Sequence, residues 1–304
     1  MTTKDDDAIK AAGPGRAYDD NEERAGRRFT VHHDGVTIPV SRGGRGRPLV
    51  LVPGLMSTQA DLHELIELLR LDHDVVTFDL RGHGLSSAGD RYTFEAFLGD
   101  LVAVMSEIAA SEPGRAVPPI LVGYSLGADL AVHYAAEHPD AVAELVLIDG
   151  ANPLPEPFIT EIDLPEFRAM AEDPTTRREI EQSIGTPRQV LPTAKEIFDL
   201  QLQIDVVRSR ILDRFRKITC PITMIMSTSI AGTGTDGRTP RHNHLWRTGI
   251  ARLLHEPPPT PTVTWLPTNH RLVFTHAREI AQLIQASPTP APAPAPAPAP
   301  RTAP

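Results

Sequence analysis

Short apolar runs alternate with longer helical patterns along most of this 304-residue chain. The runs cover residues 48–52, 75–78, 120–122, 145–148, 222–226 and 263–266, and the helical patterns fall at about 58–70, 94–110, 126–138, 241–255 and 276–286. Consecutive parallel strands need a crossover between them, which is usually a helix. The alternation therefore predicts an α/β fold with a mostly parallel central sheet and helices on both of its faces.

A hairpin is predicted ahead of this alternation. Residues 28–33 and 36–40 read as strands, and the dipeptide Asp34-Gly35 lies between them. Asp-Gly is typical of the two-residue turn that joins antiparallel strands.

The composition divides the chain into a core, an insertion and two tails. Residues 1–27 are charged and aperiodic, and residues 287–304 are mostly alternating Pro and Ala, so we predict a disordered lead and an extended tail. The predicted core comprises residues 28–150 and 218–286. Residues 151–217 contain no strand pattern but do contain helical pieces such as 194–215, which predicts a helical lid over the strand ends. A surface decoration is the alternative.

Charge and cysteine content exclude several classes of protein. The net charge is −9 and the pI is about 5.7, which argues against a nucleic-acid partner because phosphate binding requires a basic face. No apolar run approaches the roughly 18 residues of a membrane span. The first residues lack the apolar core of a secretion signal, and the single Cys220 rules out an internal disulfide. We therefore expect a cytoplasmic protein in which Cys220 is a small buried residue.

The strongest candidate for chemistry is Ser125, in Gly123-Tyr124-Ser125-Leu126-Gly127. This pentapeptide lies between the apolar run 120–122 and a helical pattern. A serine between two glycines at a strand-to-helix turn can sit on a strained elbow, with its hydroxyl exposed at the start of the helix. The pattern predicts that Ser125 is a nucleophile.

A serine nucleophile needs a base, and His270 is the preferred candidate. It follows the run 263–266 in a short loop, which places it at the carboxyl edge of the sheet, where Ser125 is also expected. His276 is the nearest rival, but it lies at the start of the last helical pattern and is expected to cap the helix or face solvent.

Four motifs in order carry a resemblance to a known family. They are Leu49 to Met56, Phe78 to Ser86 (a D-x-R-G-x-G-x-S loop), Gly123 to Gly127, and Asn269-His270. Together they resemble the α/β-hydrolase family over about residues 28–286. The resemblance implies that the backbone amides of Leu55 and Leu126 are the oxyanion donors. Pro53-Gly54 stands where the family often has His-Gly, but the side chain at that position is not a donor.

The acid of the expected triad is left open between two aspartates. The family usually places it after the strand that corresponds to 222–226, but residues 227–235 contain no carboxylate, and Asp236 is the first. Asp149 ends the run 145–148, where some family members keep their acid. A site in which no carboxylate orients the histidine is the third possibility.

The sequence thus predicts a hydrolase that uses an acyl-serine intermediate, with a small-molecule acyl substrate and neither a metal nor an organic cofactor. Candidate substrates are small carboxylic esters, lactones and thioesters. The same fold also supports amide cleavage, carbon–carbon bond hydrolysis and cofactor-free perhydrolysis. A non-catalytic ligand-binding protein with a degenerate triad is the remaining alternative.

Overall fold

The computed structural model describes residues 26–112, 117–165, 169, 173–235, 237–257 and 260–286. The strands in these ranges are β1 Arg27–His33, β2 Val36–Gly43, β3 Arg47–Val52, β4 His73–Phe78, β5 Ile120–Tyr124, β6 Glu144–Ile148, β7 Ile222–Ser227 and β8 Thr262–Leu266. The helices are α1 His63–Leu69, α2 Phe94–Ser111, α3 Leu126–Glu137, α4 Pro174–Ser183, α5 Ala194–Ser209, α6 Ile211–Phe215, α7 Thr239–Leu254, α8 Leu272–Thr275 and α9 Ala277–Gln285. The predicted lead and tail lie almost wholly outside the described residues.

The described strands form one eight-stranded sheet in the order β1-β2-β4-β3-β5-β6-β7-β8. The pairings β1–β2 and β2–β4 are antiparallel, and all the others are parallel. The hairpin turns at Asp34 and Gly35, which both have positive φ, as a type I′ turn requires. The predicted fold class, a mostly parallel sheet with flanking helices, is confirmed.

The sheet is covered on both faces, which explains why its central strands are apolar without alternation. Every residue of β5 and β6 is buried. Alternate side chains enter two separate apolar clusters: Leu121 and Leu145 belong to the one that contains α2 and α3, while Val122 and Val146 belong to the one that contains α1 and α9. Burial on both faces holds the carboxyl ends of the central strands in one fixed row.

Two of the expected helices differ from those observed. The first helical pattern was expected from residue 58, but α1 begins at His63 because the Asp61 carboxylate accepts bonds from the amide and hydroxyl of Thr58 and closes a local turn. The piece expected at 194–215 is divided into α5 and α6 at Arg210. The last helical pattern agrees with α9, and the short helix α8 precedes it.

Helices α4, α5 and α6 lie between β6 and β7, within the interval expected to be an insertion. A capping box begins α5: Thr193 accepts from the Glu196 amide, and the Glu196 carboxylate accepts from the Thr193 amide. In the described ranges, every helix is too short or too polar to span a bilayer.

Candidate active site

Ser125 occupies the sharp turn between β5 and α3. Its backbone lies at φ +52° and ψ −119°, a region that non-glycine residues rarely adopt. The glycines on either side are required sterically: a Cβ on Gly123 would lie 2.3 Å from the Gly127 carbonyl oxygen, and one on Gly127 would lie 2.3 Å from that of Val52. The Ser125 amide donates to the Ile148 carbonyl at 2.9 Å and fixes the turn against β6. The turn therefore presents the Ser125 hydroxyl at the carboxyl edge of the sheet.

His270 lies in the loop between β8 and α8, with its Nε2 2.9 Å from Ser125 Oγ. Tyr124 holds this histidine from one side. The Tyr124 hydroxyl donates to the His270 carbonyl at 2.8 Å, and the two rings stack with their centroids 5.3 Å apart. Burial raises the pKa of Tyr124 well above its ordinary value, so the phenol keeps the proton that it donates.

Asp149 directly follows β6, and its Oδ2 lies 2.9 Å from His270 Nδ1. The carboxylate is completely buried and accepts three further bonds. The Ser227 hydroxyl donates to Oδ2 at 2.8 Å, while the Ser227 amide and Trp246 Nε1 donate to Oδ1 at 2.8 and 3.0 Å. Because a carboxylate only accepts, His270 carries its proton on Nδ1 and turns a bare Nε2 towards Ser125.

The structure brings together Ser125, His270 and Asp149, and it separates them from the rival histidine. His276 bonds through Nδ1 to the Thr275 hydroxyl at 2.8 Å and faces Glu279 through Nε2. The other candidate acid, Asp236, lies outside the described residues.

The two residues predicted to supply oxyanion donors both adjoin Ser125 in the chain or in space. Leu126 is the first residue of α3. Leu55 follows Gly54, which packs so closely on the elbow that a Cβ there would lie 2.9 Å from Ser125 Cβ. The amino end of a helix carries partial positive charge, which favours an anion at this point.

The loop after β4 anchors the segment that follows Gly54. The buried Asp79 accepts from the Gln59 amide at 2.7 Å and from the Leu85 amide at 2.9 Å, and burial raises the pKa of its carboxyl. His83 Nε2 lies 3.2 Å from the Met56 amide nitrogen, and its Nδ1 lies 2.9 Å from the Arg81 carbonyl oxygen. Burial lowers the pKa of His83 to about 4, so this imidazole is neutral near pH 7.

Ser227, Trp246 and Met56 were not among the predicted site residues. Ser227 directly follows the predicted strand 222–226, Trp246 is one apolar residue within a helical pattern, and Met56 is one residue of a turn. Their contacts with Asp149 and His83 join residues that are 78, 97 and 27 positions apart. No local pattern marks contacts over such distances.

The segment between β6 and β7 contacts the rest of the protein next to the site, and two of these contacts involve Asp129 and Gly84. Arg208 of α5 forms a buried two-bond ion pair with Asp129 of α3, at 2.7 and 2.9 Å, and its guanidinium lies 5.8 Å from the centre of the Trp246 ring. In the second contact, Gly84 donates to the Gln189 carbonyl at 2.9 Å. One contact reaches the Asp149 side of the site and the other reaches the loop that carries His83.

Cys220 is a free, buried thiol whose pKa is raised by burial to about 11, as fits a packing residue. In the described part of the chain, no group of three or more His, Cys, Asp or Glu side chains could hold a metal ion.

Comparison with known proteins identifies the family. Residues 47–195 match the model of the alpha/beta hydrolase fold. Protein ABHD8 of Mus musculus is 32% identical over 130 residues, which is 41% of this chain and 28% of that protein. N-formylmaleamate deformylase of Pseudomonas putida is 33% identical over 109 residues, which is 35% of this chain and 38% of that protein. The matched regions thus span well under half the length of these relatives.

The fold is also shared over nearly the whole of a solved structure. A carboxylesterase of the ammonia-oxidizing thaumarchaeon Nitrososphaera gargenis superposes with a TM-score of 0.63 at 17% identity, covering 85% of this chain and 96% of that one. At this identity the likeness concerns the fold alone. With the sheet order, the serine elbow and the family match together, the chain belongs to the α/β-hydrolase family.

Proposed function

We propose that this protein is a serine hydrolase that cleaves a small carboxylic ester, lactone or thioester through an acyl-serine intermediate. One observation carries the proposal. Two hydrogen bonds, each 2.9 Å long, link Ser125 Oγ to His270 and His270 to Asp149. These are the distances at which a base can take a proton from a hydroxyl.

In the acylation step, Ser125 Oγ attacks the substrate carbonyl carbon while His270 Nε2 takes the hydroxyl proton. A carbon–oxygen bond forms, and the carbonyl electron pair moves to the oxygen. The amides of Leu55 and Leu126 donate to this oxyanion, and one buried donor of this kind contributes about 3 kcal/mol to transition-state stabilisation. The intermediate then collapses, the bond to the leaving group breaks, and His270 gives the leaving group its proton.

Water completes the cycle by the same steps. His270 Nε2 takes a proton from water as the oxygen attacks the acyl carbon, and it returns the proton to Ser125 Oγ when the acyl bond breaks. Asp149 accepts the hydrogen bond from Nδ1 and stabilises the imidazolium that forms twice in each turnover. Only amino-acid groups and water take part in this chemistry.

The insertion at 151–217 is proposed to act as a lid. Its support is the placement of two of its contacts with the core, at Asp129 near the elbow and at Gly84 near the oxyanion turn. A helical cover fixed at both sides of the serine would exclude water while the acyl intermediate forms.

Amide hydrolysis is a second candidate, favoured by one relative. N-formylmaleamate deformylase shares 33% identity over 109 residues with this chain, and its name states removal of a formyl group from an amide. Ester and amide cleavage use the same nucleophile and base and differ in the leaving group that His270 must protonate.

The proposal is tested with a fluorophosphonate probe and a series of p-nitrophenyl esters of rising chain length, alongside amide and thioester analogues. We expect the wild type to be labelled once and to hydrolyse short esters with a burst of p-nitrophenol. Ser125→Ala should abolish labelling and lower kcat by about a millionfold.

Ser106→Ala serves as the matched control, because Ser106 is exposed on α2 and bonds only to the Val102 carbonyl among the contacts of the described chain. It should be labelled at the wild-type rate. A preference for amides with the same acyl group would select the second candidate. A folded wild type that is neither labelled nor active on any analogue would identify a binding protein instead.

A further inference from the structure

The turn that carries Leu55 adopts a conformation that its own sequence does not favour. Met56 has φ +60°, in the left-handed region that a residue with a Cβ adopts at a cost of roughly 1–2 kcal/mol. The turn also lies against Gly54, which contacts the elbow directly. A small change in the backbone of Met56 would therefore also move the neighbouring Leu55 amide. Strained backbone of this kind persists only where surrounding contacts fix it.

His83 supplies such a contact. Its side chain is fully buried, and its ring packs edge-on against Phe97 with the centroids 6.3 Å apart. A carbonyl oxygen can only accept, so the 2.9 Å contact with Arg81 O requires the proton on Nδ1. Nε2 is then a bare acceptor, and the Met56 N–H donates to it.

The loop around His83 is itself held on two sides. On the core side, the buried Arg81 guanidinium binds both oxygens of the buried Asp100, at 2.7 and 2.8 Å. On the side of the insertion, Leu191 donates to the Gly82 carbonyl at 2.8 Å, and Gln189 bonds to both backbone groups of Gly84. An imidazole fixed in this way can define where the Met56 amide lies.

We propose that His83 is a positioning residue whose Nε2 acceptor holds the Met56 amide and thereby keeps the Leu55 amide aimed at the oxyanion. The inference rests on the proposed hydrolase function. The oxyanion exists only in the tetrahedral state, so the contribution of His83 appears in kcat and leaves KM almost unchanged.

Two conservative substitutions separate the two ring nitrogens. The side-chain amide of Asn reaches the position of Nδ1, whereas that of Gln reaches the position of Nε2. His83→Asn can bond to the Arg81 carbonyl but offers Met56 no acceptor. His83→Gln can accept from Met56 but loses the bond to Arg81. Each variant leaves one buried backbone group without its partner, so we expect similar decreases in melting temperature.

The activities of the two variants should differ. We expect His83→Asn to lower kcat about a hundredfold with KM changed by less than about threefold, and His83→Gln to keep kcat within about tenfold of the wild type. The rate constant for fluorophosphonate labelling should follow kcat. Equal losses in the two variants, or a folded His83→Asn variant as fast as the wild type, would overturn the inference.

A measurement on the wild type covers the case in which the variants fail to fold. Nitrogen-15 NMR should show His83 protonated on Nδ1, with a scalar coupling across the hydrogen bond between its Nε2 and the Met56 amide nitrogen. The opposite tautomer, or a free Met56 amide, would overturn the inference. An inactive wild type would instead overturn the proposed function, whereas an active wild type with an indifferent His83→Asn variant would overturn the inference alone.

Discussion

The two sides of the Ser125 site are built from the same pair of residue types. On one side, Asp149 follows β6 and His270 follows β8. On the other, Asp79 follows β4 and His83 lies four residues later. Both aspartates are buried, and both histidines bond through Nδ1 to an oxygen acceptor. The partners of Nε2 differ: His270 faces the Ser125 hydroxyl, whereas His83 accepts from the Met56 backbone amide.

The rings of His270 and His83 differ in solvent exposure and in the group that their Nδ1 bonds to, and these differences give them different chemistry. The His270 side chain is 37% exposed and bonds to a carboxylate, which stabilises an imidazolium when the ring takes a proton. His83 is fully buried and bonds to a neutral carbonyl, so burial opposes its protonation. An Asp–His pair at the carboxyl edge of a sheet therefore does not identify a base. A carboxylate in contact with the ring, together with solvent access, does.

The largest effect is expected when the Asp149 carboxylate that bonds to His270 is replaced by an amide. Asp149→Asn presents an amide that can donate to Nδ1 and so favours the wrong tautomer, which should lower kcat about ten-thousandfold. The rate is measured on an activated ester, with circular dichroism to check that the variant is folded. Asp236→Asn is the paired comparison and should stay within about twofold of the wild type.

The opposite pair of results would assign the role of the triad acid to Asp236. If Asp236→Asn loses activity while Asp149→Asn keeps it, the contact between Asp149 and His270 has no catalytic role. If neither variant slows the reaction, His270 works without an oriented carboxylate.

The sequence predicted the parallel sheet, the hairpin and the positions of the strands along the chain, because each depends on a local pattern. It did not predict the order of the strands in the sheet. It also indicated Ser125 and His270, since both follow recognisable strands. It left Asp149 and Asp236 as alternatives, because the groups that bury and bond Asp149 come from β7 and α7. The role of Met56 could not be predicted for a similar reason. Its positive φ and its hydrogen bond to His83 both depend on the folded structure and have no signature in the local sequence.

The burial of His83 should appear in the pH dependence of stability. The pKa of His83 falls from the ordinary 6.5 to about 4 on folding, so between these values the unfolded chain binds the extra proton. This contribution to stability is complete above about pH 6.5 and is lost as the pH falls towards 4, and it amounts to about 3 kcal/mol.

Urea unfolding at pH 7 and pH 4.5 measures this contribution. The wild type should lose more stability between these two values than His83→Gln does, because the variant has no imidazole at this position to protonate. His63→Gln, which removes an exposed histidine from α1, should behave as the wild type does. A parallel decrease in wild type and His83→Gln would mean that His83 protonates without cost in the folded state.

The smallest effect is expected when a single hydrogen-bond donor to Asp149 is removed. Trp246→Phe removes the Nε1 bond to Asp149 and leaves the two bonds from Ser227 and the one from His270. A hydrogen bond to a charged group contributes about 1.5–3 kcal/mol, and the remaining donors still hold the carboxylate, so kcat should fall roughly tenfold. Trp265→Phe makes the same change on β8 and should leave kcat unaltered. Equal rates for the two variants would show that the Ser227 and His270 bonds alone orient Asp149, which would make this carboxylate as firmly fixed as Asp79 on the opposite side.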